Sequence, residues 1–179
     1  MIQSSSDTAH QTREATIAAM KAVFGTDVRR IEHAMKVLGF AEDIMAEEPG
    51  RPEVVVAAAI LHDIGILEAE RKHGSTVGHF QEIEGPPIAR GIMQKLGFEE
   101  DVIEHVCCII ANHHTARNID TPEFRIVWDA DWLANIPDDF SRASQHQLDR
   151  LIGRVFRTAA GKGLGQSLYG SPQSLSGSR

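Results

Sequence analysis

Residues 53–65 read EVVVAAAILHDIG, and the fold and the chemistry both turn on how that stretch is read. Val54 to Leu61 is apolar without a break and runs directly into His62 and Asp63. Pro52 suits the opening of a helix, where its missing N–H has no partner to lose. Gly65 suits the end, so a strongly apolar helix is expected over Glu53 to Asp63. Burying an imidazole and a carboxylate at the end of such a helix is costly, and a divalent cation is the strongest compensation available. The plainer alternative is a helix end that simply meets water.

Working outward, the pattern stays helical. Asp7 or Thr8 can cap a helix that reaches Phe24 and stops at Gly25. Thr26 or Asp27 caps a second, in which Val28, Ile31, Met35, Leu38 and Met45 recur at the helical period until Glu48, Pro49 and Gly50 end it. Beyond the central stretch, Glu68 to Gly85 turns polar and glycine-bearing, and is expected to be a short helix followed by a mobile loop. Pro86 and Pro87 fit only the first turn of the next helix, which runs to Leu96. Further helices are expected over Asp101 to His114, from Pro122 to Asn135, and from Ser141 through Ala160. Gly161 to Arg179 is rich in Gly and Ser with little to bury, and reads as a flexible tail, as residues 1–6 read as a flexible N-terminus. There is neither strand alternation nor repeat. The expected fold is all-α, one helical bundle over residues 7–160 with its functional site in the core.

With 179 residues, 42% of them apolar, the chain can bury a real core. Its net charge of −7 argues against a nucleic-acid polymer as partner, which needs a basic surface to displace counterions. A small nucleotide is not excluded, because a bound cation or a local Arg/Lys cluster overrides the global field. Met1 to His10 lacks the basic and apolar regions of a signal peptide, and the longest apolar run is too short to span a bilayer. Cys107 and Cys108 are neighbours and make no disulfide framework; both are expected to pack as small apolar residues. A cytoplasmic protein with no membrane partner is the expectation.

Nine histidines are many for this length. His33 flanks the apolar stripe of the second helix, a place more often held by a boundary residue than by a ligand. Val102, Val106 and Ile109 lead by helical steps to His113, and Ile103, Cys107 and Ile110 lead to His114. Adjacent inward histidines have a clear purpose as ligands for one or two metals; otherwise they serve the helix dipole. Asp129 and Asp131 stand roughly 200° apart on a helix, so only one can face a given metal, and spacing does not choose between them. Glu82 and Glu84 are placed to cap the next helix or to reach a metal. Arg30, one turn before His33, and Lys72 are the cations best placed for a phosphate. Trp128 and Trp132 read as core or pocket wall.

The order His33, His62 with Asp63, His113 with His114, then a late Asp resembles the HD superfamily of metal-dependent phosphohydrolases. Residues 62–65, HDIG, match one form of its signature, and the resemblance covers roughly Ile31 to Ile136. It implies a minimal metal set of His33, His62, Asp63 and the late Asp. The family's late motif resembles Ala130, Asp131, Trp132 and Leu133, which favours Asp131. Two-metal members add histidines between these elements. His113 and His114 are similar to the later of them, whereas this chain has Gln81 where the earlier one would stand. Glu84 or His79 could substitute, so the resemblance implies one or two divalent ions (Mn, Fe, Co, Ni, Zn or Mg).

The implied activity is hydrolysis of a phosphomonoester or phosphodiester, in a small nucleotide or related metabolite. Water activated by the metal would attack, with Asp63 bridging if two ions bind, and Glu82, Glu84, His79 or Lys72 assisting the leaving group. Thr115, Ala116 and Arg117 follow His114 where the cyclic-dinucleotide branch would carry Gly-Tyr-Pro. Two other readings compete: a di-iron oxygenase of the same helical type, and a metal- or nucleotide-binding sensor without turnover. A monomer and a homodimer both fit the sequence.

Overall fold

The computed structural model describes residues 5–171, with the backbone alone at 5 and 6. Among the described residues there are nine helices and no strand: α1 (Ser5–Phe24), α2 (Val28–Met45), α3 (Pro52–Leu61), α4 (Ile66–His73), α5 (Gly78–Lys95), α6 (Glu100–Ile110), α7 (Pro122–Asp139), α8 (Gln145–Val155) and α9 (Ala159–Tyr169). Helix α3 is the axis. It packs on α1, α2, α6 and α7, and all its residues from Val54 to Leu61 except Val56 are buried. A helix apolar on every side has no other place to sit than the middle of a bundle. Its neighbours supply the facing stripes: Ala34, Val37, Leu38, Ala41 and Ile44 from α2, Val102, Val106, Ile109 and Ile110 from α6, and Phe124, Ile126, Val127, Ala130 and Leu133 from α7.

Of the two residues that could cap α2, Asp27 does so, its side chain accepting from the Arg30 N–H. The segment between α3 and α6 differs from expectation. Only residues 74–77 connect α4 to α5, so no long loop exists there, and Pro86 and Pro87 lie inside α5 instead of opening it. Tertiary anchors carry the helix through the prolines. Glu82 accepts from the backbone N–H groups of His114 and Thr115, Glu84 binds Lys72 and His73, and Gly85 lies against Gly65. Such contacts override a local propensity.

The C-terminal third differs for a related reason. Helix α7 continues through Pro137, whose nitrogen cannot serve the carbonyl of Leu133; the Tyr169 hydroxyl donates to that carbonyl at 2.9 Å instead. Tyr169 belongs to α9, so the stretch from Gly161 that reads as a flexible tail is a docked helix as far as Tyr169. Thr158 caps it, and Gly161 and Gly165 are buried within it. Helix α8 accordingly ends at Val155, short of Ala160. At the other end, the backbone of Ser5 and Ser6 already belongs to α1. The remaining expectations of flexible ends, at residues 1–4 and 172–179, lie outside the described residues. Cys107 is buried as expected, but Cys108 is exposed.

Candidate metal centre

Three elements bring four side chains to one end of α3. His62 and Asp63 sit in the turn that follows α3, His33 comes from the second turn of α2, and Asp131 from the middle of α7. His33 Nε2 stands 3.2 Å from His62 Nε2 and 3.2 Å from Asp131 Oδ1. His62 Nε2 stands 3.4 Å from Asp63 Oδ2 and 3.6 Å from Asp131 Oδ1, and His33 Nε2 lies 3.6 Å from Asp63 Oδ2. Donor atoms bound to one cation at about 2.1 Å lie about 3.0 Å apart at right angles and about 3.4 Å apart in a tetrahedron. The observed spacings match the edges of such a polyhedron: His33, His62 and Asp63 bring donor atoms together closely enough that they could hold one ion, and Asp131 Oδ1 lies within 3.6 Å of both imidazoles.

The orientation of the rings supports the same use. His62 Nδ1 is 2.9 Å from the Ala59 carbonyl, which fixes Nδ1 as the N–H and turns Nε2 to the site. His113 Nδ1 is 2.7 Å from the Ile110 carbonyl in the same manner. A backbone acceptor behind a histidine ring holds the ligand tautomer and its angle.

A second group shares Asp63. His113 Nε2 lies 3.4 Å from Asp63 Oδ1, the oxygen not used by His33 and His62, and His114 joins them within reach of one ion. Both histidines lie in the turn after α6, not on the helix, and their ring centroids are 3.9 Å apart with the planes tilted by 41°. Glu82, buried on α5, accepts from His114 N, Thr115 N and Thr115 Oγ1 through one oxygen and so pins this turn.

The charges are tightly balanced. Burial works to deprotonate His62, but Asp63 and then Asp131 overcome it and hold its pKa up to about 9. Burial likewise opposes the charge on Asp63, yet the His62 charge and the hydrogen bond to His113 pull its pKa well below the carboxylate range. Asp131 is lowered against burial by its hydrogen bond to His33 and the charge of His62. A proton on His62 thus stands in for a cation between two carboxylates.

His33, Asp63, Asp131, His113 and His114 line a cavity of about 960 Å³ between α2 and α7, while His62 is buried beside it. Arg29, Arg30 and Lys36 of α2 line one side, and Trp128, Trp132, Asn135 and Asp138 of α7 the other. Arg30 faces the cavity while holding Asp27 at 2.7 Å and lying 3.7 Å from Glu70.

Two residues expected at the centre are elsewhere. Glu84 binds Lys72 Nζ at 2.6 Å and His73 Nε2 at 2.9 Å, on the face of α5 turned toward α4. Lys72 is held by that bond and by Glu68 at 3.2 Å, so neither reaches the cavity, because each satisfies the other's charge first. His79 is exposed, and Glu82 is occupied with the turn. Asp129 is fully buried but faces the α8–α9 connection, accepting from Arg157 N, Thr158 N and Thr158 Oγ1. Sequence reasoning missed Asn135, whose Nδ2 donates to Asp131 Oδ1 at 2.8 Å; its position four residues after Asp131 on one helix was the available signal.

Compared with known families, residues 30–136 match the model described as HD domain. No curated protein and no solved structure matches the chain.

Proposed function

The chain belongs to the HD-domain superfamily of metal-dependent phosphohydrolases, and we propose that it hydrolyses a phosphomonoester or phosphodiester bond in a small nucleotide or related metabolite. The observation that carries this is the convergence of His33, His62, Asp63 and Asp131 at metal-ligand spacing, beside a cavity whose lining includes Arg29, Arg30 and Lys36 as well as several carboxylates.

In this reading His33, His62, Asp63 and Asp131 hold a divalent ion. That ion would supply Lewis acidity, making water a nucleophile at neutral pH and polarising the phosphoryl oxygen. Asp63 presents one oxygen to each histidine group, so its position fixes the distance between the two halves of the site. Asn135 orients Asp131, and the Ala59 and Ile110 carbonyls orient His62 and His113. Arg30, with Arg29 and Lys36, offers positive charge to a phosphate in the cavity. Trp132 and Trp128 give the wall an aromatic face against which an organic leaving group can lie.

The test is phosphate release from a panel of nucleotides and other phosphoesters with added Mn²⁺ or Co²⁺. Release that a chelator stops and that Asp63→Ala lacks is the expected result. A folded, metal-binding chain that is silent across the panel, yet consumes oxygen when loaded with iron, would instead establish the oxygenase reading.

A further inference from the structure

Gln81 is 5% exposed on the first turns of α5 and is one of the residues at the cavity wall, together with Thr76, Asp63, His113 and His114. Its Nε2 donates to the Thr76 carbonyl at 2.6 Å. A carbonyl accepts only from the amide nitrogen, so the other end of the side chain is the oxygen. That oxygen is buried and has no hydrogen-bond partner among the described residues. A buried acceptor left without a donor is rare enough in folded proteins to call for a partner that arrives later.

Its surroundings say which partner. The backbone of α5 at Gln81 packs on Gly65, two residues beyond Asp63, where an added Cβ would come within 2.8 Å of the Gln81 main-chain carbonyl oxygen. One turn earlier on the same face, Gly78 lies so close to His114 that a Cβ there would stand 2.6 Å from the ring. Gln81 is therefore set between the Asp63 turn and the His113–His114 turn, where three metal-binding side chains already lie within reach of one ion. A space closed to water is not closed to a bare cation; His62 is just as enclosed, at 1% exposure.

We infer that the Gln81 amide oxygen completes a second cation subsite with Asp63, His113 and His114, distinct in chemistry from the His33, His62, Asp63 and Asp131 subsite. The two subsites are unequal. The first has two carboxylates, the second shares one of them and adds a neutral oxygen, so the second binds more weakly. The amide oxygen also favours a hard ion such as Mn²⁺ or Mg²⁺. The inference rests on the proposed metal site but not on hydrolysis.

The experiment is a titration of the metal-stripped full chain with Mn²⁺, free Mn²⁺ being read by electron paramagnetic resonance. The wild type takes up two Mn²⁺ per chain, the second about tenfold or more weakly than the first. Gln81→Leu keeps the first with unchanged affinity, which reports an intact fold, and weakens or loses the second. Gln81→His, which substitutes an imidazole, binds two ions but shifts the preference of the second subsite from Mn²⁺ toward Zn²⁺, a change that a merely structural glutamine would not produce. Saturation of the wild type at one Mn²⁺, or a Gln81→Leu curve identical to wild type, overturns the inference. Two bound Mn²⁺ with no phosphate release from any substrate would sink the hydrolase reading and leave this one standing.

Discussion

Asp129 and Asp131 share one helix, and each is claimed by groups far away in the chain. Asp129 takes three hydrogen bonds from Arg157 and Thr158, while Asp131 faces His33 and His62. Asp129→Ala should therefore destabilise the fold by about 1–3 kcal/mol, as expected when buried donors lose their acceptor, and leave metal affinity intact. Asp131→Ala should lose the first ion while unfolding at nearly the wild-type denaturant concentration. Denaturation and metal titration of both variants check this, and reversed results would reassign the two. The angular spacing on α7 means that only one Asp can face a given metal, and family resemblance favours Asp131. What holds Asp129 lies 28 and 29 residues further on and leaves no periodic trace. His62 gives a prediction with a sign. Its pKa of about 9 in the metal-free chain means that an ion must displace a proton. Apparent affinity should rise about tenfold per pH unit up to about pH 9, so Kd measured at pH 6.5 and 8.5 should differ by about 100-fold. In the metal-free chain the same shift, upward from 6.5, adds stability that is complete below pH 6.5 and lost as pH rises through about 9. A flat affinity profile would show that His62 carries no proton there.

The crossing of α4 and α5 beside the metal centre depends on a glycine pair. A Cβ on Gly65 would stand 2.5 Å from the Gly85 nitrogen and 2.7 Å from its Cα, which are backbone atoms that cannot rotate away. Gly65→Ala should cost about 1–3 kcal/mol and weaken cation binding, because α5 must move and takes Gln81 with it. Gly39 on α2 meets nothing within 4 Å, so Gly39→Ala should raise stability by about 0.5–1 kcal/mol through helix propensity alone. Thermal melts of the pair test the contrast; equal shifts would mean that the α4–α5 contact is looser than described. Helices α1, α2, α3 and α6 are legible because periodic apolar residues and local stop signals suffice to place them. The interior prolines of α5 and α7 are not, since Glu82, Glu84 and Tyr169 secure those turns from other elements. The docking of α9 is invisible for the same reason: its small residues are what fit against α7, and Gly161 packs directly on Asp129.

Over the whole molecule, the buried α3 delivers His62 and Asp63 to a cavity whose walls come from α2 and α7, so fold and centre form one unit. Among the described residues no helix is long and apolar enough to cross a membrane. Metal binding should therefore be felt globally: an ion present at 100 times its Kd adds about 2.7 kcal/mol to stability. For a domain of this size that raises Tm by roughly 5–10 °C. Asp63→Ala should show no such rise, because it removes a ligand common to both subsites. The central claim is that one centre both binds the cation and cleaves the phosphoester. Its most direct test is to titrate Mn²⁺ into the metal-free chain while recording bound ion and phosphate release in the same sample. Release is expected to climb with occupancy, and Asp63→Ala to lose both. Release that persists in the chelated chain, or an Asp63→Ala chain that binds and hydrolyses as before, would contradict it.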